Sequence, residues 1–195
     1  MESEDRGNLF AMHPLIELRP TGTEVGGLGL YATGLIKEGE TIWAQPREEF
    51  EHQVHTAEEI VTWEEEKRMT MLIYAFQVSR NQFAGPCTRP EVESDASNFM
   101  NHSCDPTTWY VSDSLMTARR DIQPGEEITF DYGTSQTYHW PSSIPEIGER
   151  VKCFCGADNC RGIITADDWK KPELQKTYGR HFLPYVLEMI DEYNS

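Results

Sequence analysis

No stretch of this sequence approaches the roughly 18 apolar residues that a membrane-spanning helix needs. No basic segment runs into an apolar one at the start, so a secretory leader is not expected. The Cys-x-x-C spacing of thioredoxin-like redox proteins does not occur. There is no internal repeat and no low-complexity tract. Basic residues are scarce: 17 Lys and Arg stand against 33 Asp and Glu, a formal net charge of −16. That deficit argues against phosphate-backbone binding, and against a plain zinc ribbon for nucleic acid, because nucleic-acid binders present basic faces. What remains is a soluble, intracellular chain of 195 residues, enough for one ordinary domain with a core and a small appendage. Such a surface attracts a cationic partner, for instance a Lys/Arg-rich peptide. Acidity for solubility alone explains the charge equally well.

The chain reads as many short strands, one or two mid-chain helices and a helical tail. That is an α+β protein, mostly β, with an irregular core. Residues 1–14 form a polar lead-in. LIEL (15–18), LYA (30–32) and TIWA (41–44, closed by Pro46) read as strands, with Gly22, Gly26, Gly27 and Gly29 between the first two. Thr56 and Glu59 form a capping box, and Met69, Leu72, Ile73 and Phe76 fall on one helical face. Residues 79–96 read as a loop. TWYV and LMTA flank Ser112-Asp113-Ser114 as a hairpin. Pro124-Gly125 is a turn, after which Ile128, Phe130 and Tyr132 alternate with polar neighbours as in a half-buried strand. Residues 133–149 read as a polar linker. Thr165 and Asp168 repeat the capping-box spacing, and Pro172 and Gly179 bracket a short helix. Val186, Met189, Ile190 and Tyr193 give a last helical face that packs on the domain rather than on a second copy, so a monomer is expected.

Five cysteines are present: Cys87, Cys104, Cys153, Cys155 and Cys160. An odd number in an intracellular chain speaks against a disulfide framework. Three crowd into CFCGADNC, residues 153–160. Adjacent-but-one cysteines are poorly placed to pair with each other, whereas tetrahedral zinc takes four thiolates readily. Gly156 supplies the tight turn, and Asp158 and Asn159 suit it. The fourth ligand then comes from Cys87, Cys104 or one of six histidines, and metal affinity becomes folding energy for the segment that carries it. The plain alternative is a set of small buried residues.

Four pieces stand in order: Gly27-x-Gly29; Asn101-His102-Ser103-Cys104; Gly125-Glu126-Glu127-Ile128-Thr129-Phe130-Asp131-Tyr132; and Cys153-x-Cys155-Gly156-x3-Cys160-Arg161-Gly162. Together, over roughly residues 15–165, the chain resembles SET-domain protein lysine methyltransferases with a post-SET zinc motif. The resemblance implies a SET fold of several small curved sheets with a C-terminal pseudoknot, which connection rules alone would not suggest. It implies a SET domain at 15–133, a linker and zinc-bound post-SET loop at 134–165, and a tail at 166–195 similar to that of small stand-alone SET proteins. It makes Cys104 the fourth zinc ligand with Cys153, Cys155 and Cys160, and leaves Cys87 as a core or loop thiol. Asn101 and His102 would hold S-adenosylmethionine, Gly27, Leu28 and Gly29 would let the backbone approach it, and Phe154 or Ile163 would pack on the adenine.

By the same resemblance Tyr132 orients the lysine amine. Phe130 occupies a switch position where phenylalanine leaves room for di- or trimethylation. Two departures stand out. ETIWAQPREEFEHQ (40–53) lacks the family's channel tyrosine and offers only Trp43 and Phe50, and Asn98 stands where arginine is common. Stripped of their flanking motifs, Asn101 and His102 read as a loop cap and a satisfied buried histidine. Tyr132 reads as strand-end packing.

The expected activity is methyl transfer from S-adenosylmethionine to a lysine side chain. A histone tail is the leading substrate, because tails are lysine-rich and this chain is acidic. A non-histone protein is the alternative target. A reading from a different class is a catalytically silent zinc-bearing SET module that binds a protein partner. The compartment is the nucleus for a histone substrate and the cytoplasm otherwise, although Lys170-Lys171 is too short for a nuclear-localisation run. Neither membrane nor direct nucleic-acid binding is expected.

Overall fold

The computed structural model describes residues 11–22, 27–45, 53–140 and 150–195. The lead-in up to residue 10, Gly26, Pro46, Phe50 and linker residues 141–149 lie outside the described residues. The strands are β1 Ala11–Met12, β2 Ile16–Pro20, β3 Leu28–Ala32, β4 Thr41–Ala44, β5 Val54–Thr56, β6 Phe76–Gln77 and β7 Gln82–Ala84. They continue as β8 Asn101–His102, β9 Thr108–Ser112, β10 Leu115–Ala118, β11 Glu127–Phe130, β12 Arg150–Lys152 and β13 Ile163–Thr165. The helices are α1 Ala57–Ile60, α2 Glu65–Tyr74, α3 Arg89–Ser94, α4 Pro172–Tyr178 and α5 Pro184–Asn194. Four small sheets result, in the orders β1-β4-β10-β9, β2-β3-β11-β8, β5-β7-β6 and β12-β13. No helix among the described residues is long and apolar enough to cross a membrane.

The second of these sheets organises the molecule. β11 lies between β3, antiparallel with Ile128 opposite Leu30, and β8, parallel with Thr129 opposite Asn101. Neighbours on both sides pair the edges of this strand, and packing covers both of its faces as well, so its half-buried reading is corrected. Ile128, Thr129 and Phe130 are all buried. Thr129 is accommodated because its N–H donates to Thr107 Oγ1 at 2.9 Å and its carbonyl accepts from Thr108 Oγ1 at 2.9 Å. The parallel pairing sets Asn101 and His102 alongside Thr129 and Phe130.

The helices depart from the sequence reading in places. The capping box at Thr56 forms, with Glu59 N–H on Thr56 Oγ1 at 3.2 Å and Thr56 N–H on Glu59 Oε2 at 2.8 Å, but α1 lasts only four residues. α2 stops at Tyr74, where Ala75 turns extended and Phe76 enters β6. The expected Met69–Phe76 face is therefore cut short: Met69, Leu72 and Ile73 lie on α2, with Leu72 packed on the smaller cluster, while Phe76 does not. Met71 is the buried residue, packed with Ala57, Ile60 and Phe83, and Ile73 is exposed. The loop expected at 79–96 contains β7 and α3. Pro90 sits in the first turn of α3, and Glu91 accepts from Cys87 N–H at 2.6 Å and Thr88 N–H at 3.0 Å. Thr88-x-x-Glu91 was a readable start signal. Thr165 and Asp168 do not cap a helix. The Thr165 hydroxyl donates to Asp168 Oδ1 at 2.9 Å, and Asp168 is buried.

Two apolar clusters hold these pieces. The larger gathers Leu30, Ile36, Ile42, Ile122 and Ile128 with Trp169, Phe182, Leu183 and Val186 from the tail. The smaller lies under β5-β7-β6. Residues 133–140 join them rather than forming a linker. Thr134, Ser135 and Thr137 are buried, Gln77 Oε1 accepts from Thr137 N–H at 2.7 Å, and the Tyr138 and Trp140 rings lie 5.6 and 4.8 Å from Phe83. α4 begins at Pro172 and closes at Gly179, whose φ of +56° suits glycine. On α5, Val186 and Ile190 face inward as expected, while Tyr193 is exposed and edges Trp169.

Because Phe182 is buried in the larger cluster, Phe182→Ala is expected to remove about 3–5 kcal/mol of stability, read from urea unfolding midpoints. A loss well under 1 kcal/mol would show that the tail is not part of this core.

Candidate active site and metal centre

The four sulfurs of Cys104, Cys153, Cys155 and Cys160 lie within 4.8 Å of one another. Cys104 follows β8, Cys153 follows β12, and a turn at Gly156 (φ +72°) brings round Cys155 and Cys160. Cys104 Sγ and Cys153 Sγ are 3.9 Å apart. A tetrahedral zinc with Zn–S bonds of about 2.3 Å sets its sulfurs roughly 3.8 Å from each other. Backbone N–H groups aim at the cluster: Cys104 N on Cys155 Sγ at 3.5 Å, Arg161 N on Cys104 Sγ at 3.3 Å, and Gly162 N on Cys160 Sγ at 3.4 Å. Such donors favour thiolate over thiol. The set fits a closed, structural zinc site. Cys87 is elsewhere, 3.9 Å from His55 Nε2, and burial pushes its thiol up.

The expected cofactor residues fall into one packed unit and two outliers. Gly27 has φ +102°, a conformation that disfavours any side chain. A Cβ on Gly29 would sit 2.5 Å from Glu127 Oε1 and 3.0 Å from Asn101 Nδ2. Asn101 Nδ2 donates to the Leu28 carbonyl at 3.0 Å and to Glu127 Oε1 at 2.8 Å. Gly27, Leu28, Gly29 and Asn101 thus form one unit, closed by Glu127, which sequence reasoning passed over as a polar strand residue. Phe154 and Ile163 are not in it. They stay 60% and 43% exposed on the cysteine loop and its hairpin.

His102 links the two regions. Its Nδ1 accepts the Tyr132 N–H at 3.1 Å, so its proton sits on Nε2, which faces Cys104 Sγ at 3.3 Å. Burial pushes this imidazole down to about 4, with Arg161 adding to the effect and Asp131 opposing it, so the ring is neutral at pH 7. Tyr132 donates its hydroxyl to the Met100 carbonyl at 3.3 Å, and its ring lies 4.9 Å from Phe130. Burial, reinforced by Glu127, raises its phenol to about 12, so the hydroxyl stays protonated.

Tyr132 and Phe130 face a cavity of about 570 Å³ whose wall also includes Trp43, Tyr74, Tyr110 and Trp140. Trp43 is the one wall aromatic that the sequence offered for the channel, and Asn98 lines it too. Tyr74, Tyr110 and Trp140 were missed. They come from α2, β9 and the stretch after Tyr132, and no local pattern ties them together.

Beneath Tyr132 lies a buried ionic cluster that was also missed. Arg161 Nη1 and Nη2 donate to the two oxygens of Asp131, both at 2.6 Å, and its Nε donates to Asp168 Oδ2 at 2.8 Å. Tyr178 donates its hydroxyl to Asp131 Oδ2 at 2.9 Å. The Cys160-Arg161-Gly162 run held the signal for the arginine. Asp131 passed as a strand end.

The sequence pattern of the family described as SET domain matches residues 27–133. This chain belongs to the SET-domain family. It is 30% identical over 167 residues to Histone-lysine N-methyltransferase Set2 of Drosophila melanogaster, covering 80% of this chain and 6% of that protein. It is 36% identical over 90 residues to the H3 lysine-9 specific histone-lysine N-methyltransferase dim-5 of Neurospora crassa, covering 38% of this chain and 26% of that one. The H3 lysine-36 specific enzyme of Candida albicans matches at 30% over 145 residues, 71% of this chain and 15% of that protein. The SET chain described here thus spans about a quarter or less of the length of these relatives.

Purified protein is expected to carry one zinc per chain by elemental analysis. Cys155→Ser is expected to lose most of it, with Tm lower by roughly 5–10 °C. Unchanged Tm in strong chelator, with no zinc found, would contradict the assignment.

Proposed function

We propose that this SET-domain chain is a protein-lysine N-methyltransferase that uses S-adenosylmethionine. The observation that carries the reading is the position of Tyr132. Its backbone is tied to His102, next to the Gly27–Asn101 unit, while its ring faces an aromatic cavity that none of the expected cofactor residues lines. Two reactants approaching from those two sides meet at one hydroxyl.

On this reading Asn101 and His102 hold the cofactor against the Gly27-Leu28-Gly29 turn, where the missing Cβ atoms permit close approach. The exposed Phe154 and Ile163 offer apolar cover for its adenine. Bound there, the cofactor would supply an electrophilic methyl carbon: the amine nitrogen would bond to it as the S–CH3 bond breaks, with a thioether as the leaving group and the amine's proton passing to water. The four cysteines hold zinc, which fastens the loop carrying Phe154.

Lysine must arrive neutral, yet its free pKa is about 10.4. An aromatic, weakly polar cavity disfavours the ammonium form. Tyr132 spends its proton on Met100, so its oxygen lone pairs are left to accept from the amine and orient it. Orientation of this kind is worth up to roughly 7–11 kcal/mol in the best intramolecular cases. Phe130 brings no hydroxyl to hold a crowding water, which supports di- or trimethylation.

The substrate class is a lysine-bearing protein or peptide. The charge of −16 favours a basic one, and a histone tail leads. The similar enzymes carry different lysines in their names, so no target lysine is carried over. The domain plan is a SET domain at 15–133, a post-SET segment at 134–165 and a tail at 166–195. The protein acts as a monomer, in the nucleus for a histone substrate and in the cytoplasm otherwise, without direct contact to nucleic acid.

The test is methyl transfer from labelled S-adenosylmethionine to core histones and to a cell lysate. Tyr132→Phe is expected to lower the rate by about a hundredfold or more. Phe130→Tyr is expected to shift the product toward monomethyl-lysine. A wild-type product that stops at one methyl under excess cofactor contradicts the switch. The rate should rise roughly tenfold per pH unit from 7 toward 9, as the neutral amine fraction grows, with no break from Tyr132. Folded, zinc-loaded protein that labels nothing would leave the silent binding module as the account.

A further inference from the structure

Arg161 follows the last cysteine of the loop, and it acts in two directions. Its backbone N–H donates to Cys104 Sγ at 3.3 Å. Its guanidinium leaves the loop and grips Asp131 with both Nη atoms at 2.6 Å, and Asp168 with Nε at 2.8 Å. Both carboxylates are fully buried, and the arginine side chain is 11% exposed. Charge is balanced within the cluster, because Lys171 Nζ lies 3.0 Å from Asp168 Oδ1, giving two cations and two anions.

Asp131 has no freedom left. Oδ1 receives Arg161 and the Gly133 N–H at 2.8 Å, and Oδ2 receives Arg161 and the Tyr178 hydroxyl at 2.9 Å. Its carboxylate caps the 3₁₀ turn Tyr132–Thr134. The residue it directly precedes is Tyr132. The Tyr132 backbone is therefore fixed from two sides, by Asp131 through the turn and by His102 through its N–H. Both lines run back to one sulfur, since His102 Nε2 faces Cys104 Sγ at 3.3 Å.

We propose that Arg161 is a positioning residue that carries the closure of the four-cysteine loop to Tyr132. It touches neither reactant. Closing the loop seats the Arg161 backbone on Cys104, which sets its fork on Asp131 and with it the turn that aims the tyrosine. A planar fork is required: lysine keeps the charge but carries its three donors on one nitrogen, so it cannot span both oxygens of Asp131 and reach Asp168 as well.

The proposal rests on the methyltransferase reading for its kinetic part only. Arg161→Lys is compared with wild type in zinc content, in S-adenosylmethionine affinity by calorimetry, in kcat on a lysine peptide, and in the ¹⁹F NMR line of 3-fluorotyrosine incorporated at position 132. Zinc content and cofactor Kd are expected to stay within about threefold of wild type, while kcat falls about 10- to 100-fold, the scale of a misplaced catalytic group. The fluorine line of the zinc-loaded variant should move toward that of chelator-stripped wild type. A kcat within threefold of wild type, a fluorine line that does not move, or a loss that tracks zinc or cofactor affinity overturns it. If Arg161→Lys does not fold, Asp168→Asn weakens the Nε contact, along with the Thr165 and Lys171 contacts of the same carboxylate, while the fork on Asp131 stays, and should move the line in the same direction by less; an unmoved line there overturns it too. An inactive wild type whose fluorine line responds as stated defeats the methyltransferase reading and leaves this one standing. Activity with an unresponsive line does the reverse.

Discussion

The sulfur of Cys104 receives the backbone N–H of Arg161 at 3.3 Å and faces His102 Nε2 at the same distance. It lies two residues beyond β8, the short strand whose parallel partner is β11. One atom therefore belongs at once to the cysteine cluster, to the sheet that carries Phe130, and to the ring that holds the Tyr132 backbone. A thiolate in that position is a strong acceptor only while something balances its charge. A bound cation does this, and in its absence burial pushes the Cys104 thiol up to about 11, turning the acceptor into a weak donor. The N–H groups aimed at the sulfur lose most of their partner when that happens. Coherence around Tyr132 thus depends on the state of a group that does no chemistry.

Electrostatics set the second constraint. A buried ion pair gains little over a well-packed apolar substitute, but breaking it by removing one partner costs about 3–5 kcal/mol, because a charge is left without compensation. Asp131, Asp168 and Arg161 are in that position, joined by Tyr178 from α4. The cluster ties three stretches together that are separate in sequence: the end of β11, the loop after Cys160 and the tail.

What could be read from the residues alone was whatever chemistry concentrates locally. CFCGADNC announces metal by its spacing, and NHSC and TFDY were legible because their order survives as a contiguous pattern. Strand pairs joined by tight turns were readable too, as at Ser112-Asp113-Ser114. Four kinds of feature were not. Tyr74, Tyr110 and Trp140 share one cavity wall only after distant elements pack, and each looks like an ordinary core aromatic. Thr129 looked solvent-facing because alternation was read as exposure, whereas both faces of this strand are packed and the Thr129 hydroxyl accepts from the Thr107 N–H at 3.3 Å. Ile73 looked like core because helical spacing extended past Tyr74, where the backbone turns extended. Asp131 was invisible because a carboxylate declares its role only through the guanidinium that meets it.

The tail residues Phe182, Leu183, Val186 and Ile190 lie in the same apolar cluster as Leu30, Ile42 and Ile128. The two contributions are separated by more than fifty residues of chain that also hold the cysteine loop. During synthesis, the sheets around β3 and β11 emerge long before the side chains that seal them. Domains fold as units once their residues are available, so this core remains an open apolar face until residue 190 or so has cleared the ribosome. Over that interval the nascent chain presents an unsealed surface to chaperones and to neighbouring nascent chains.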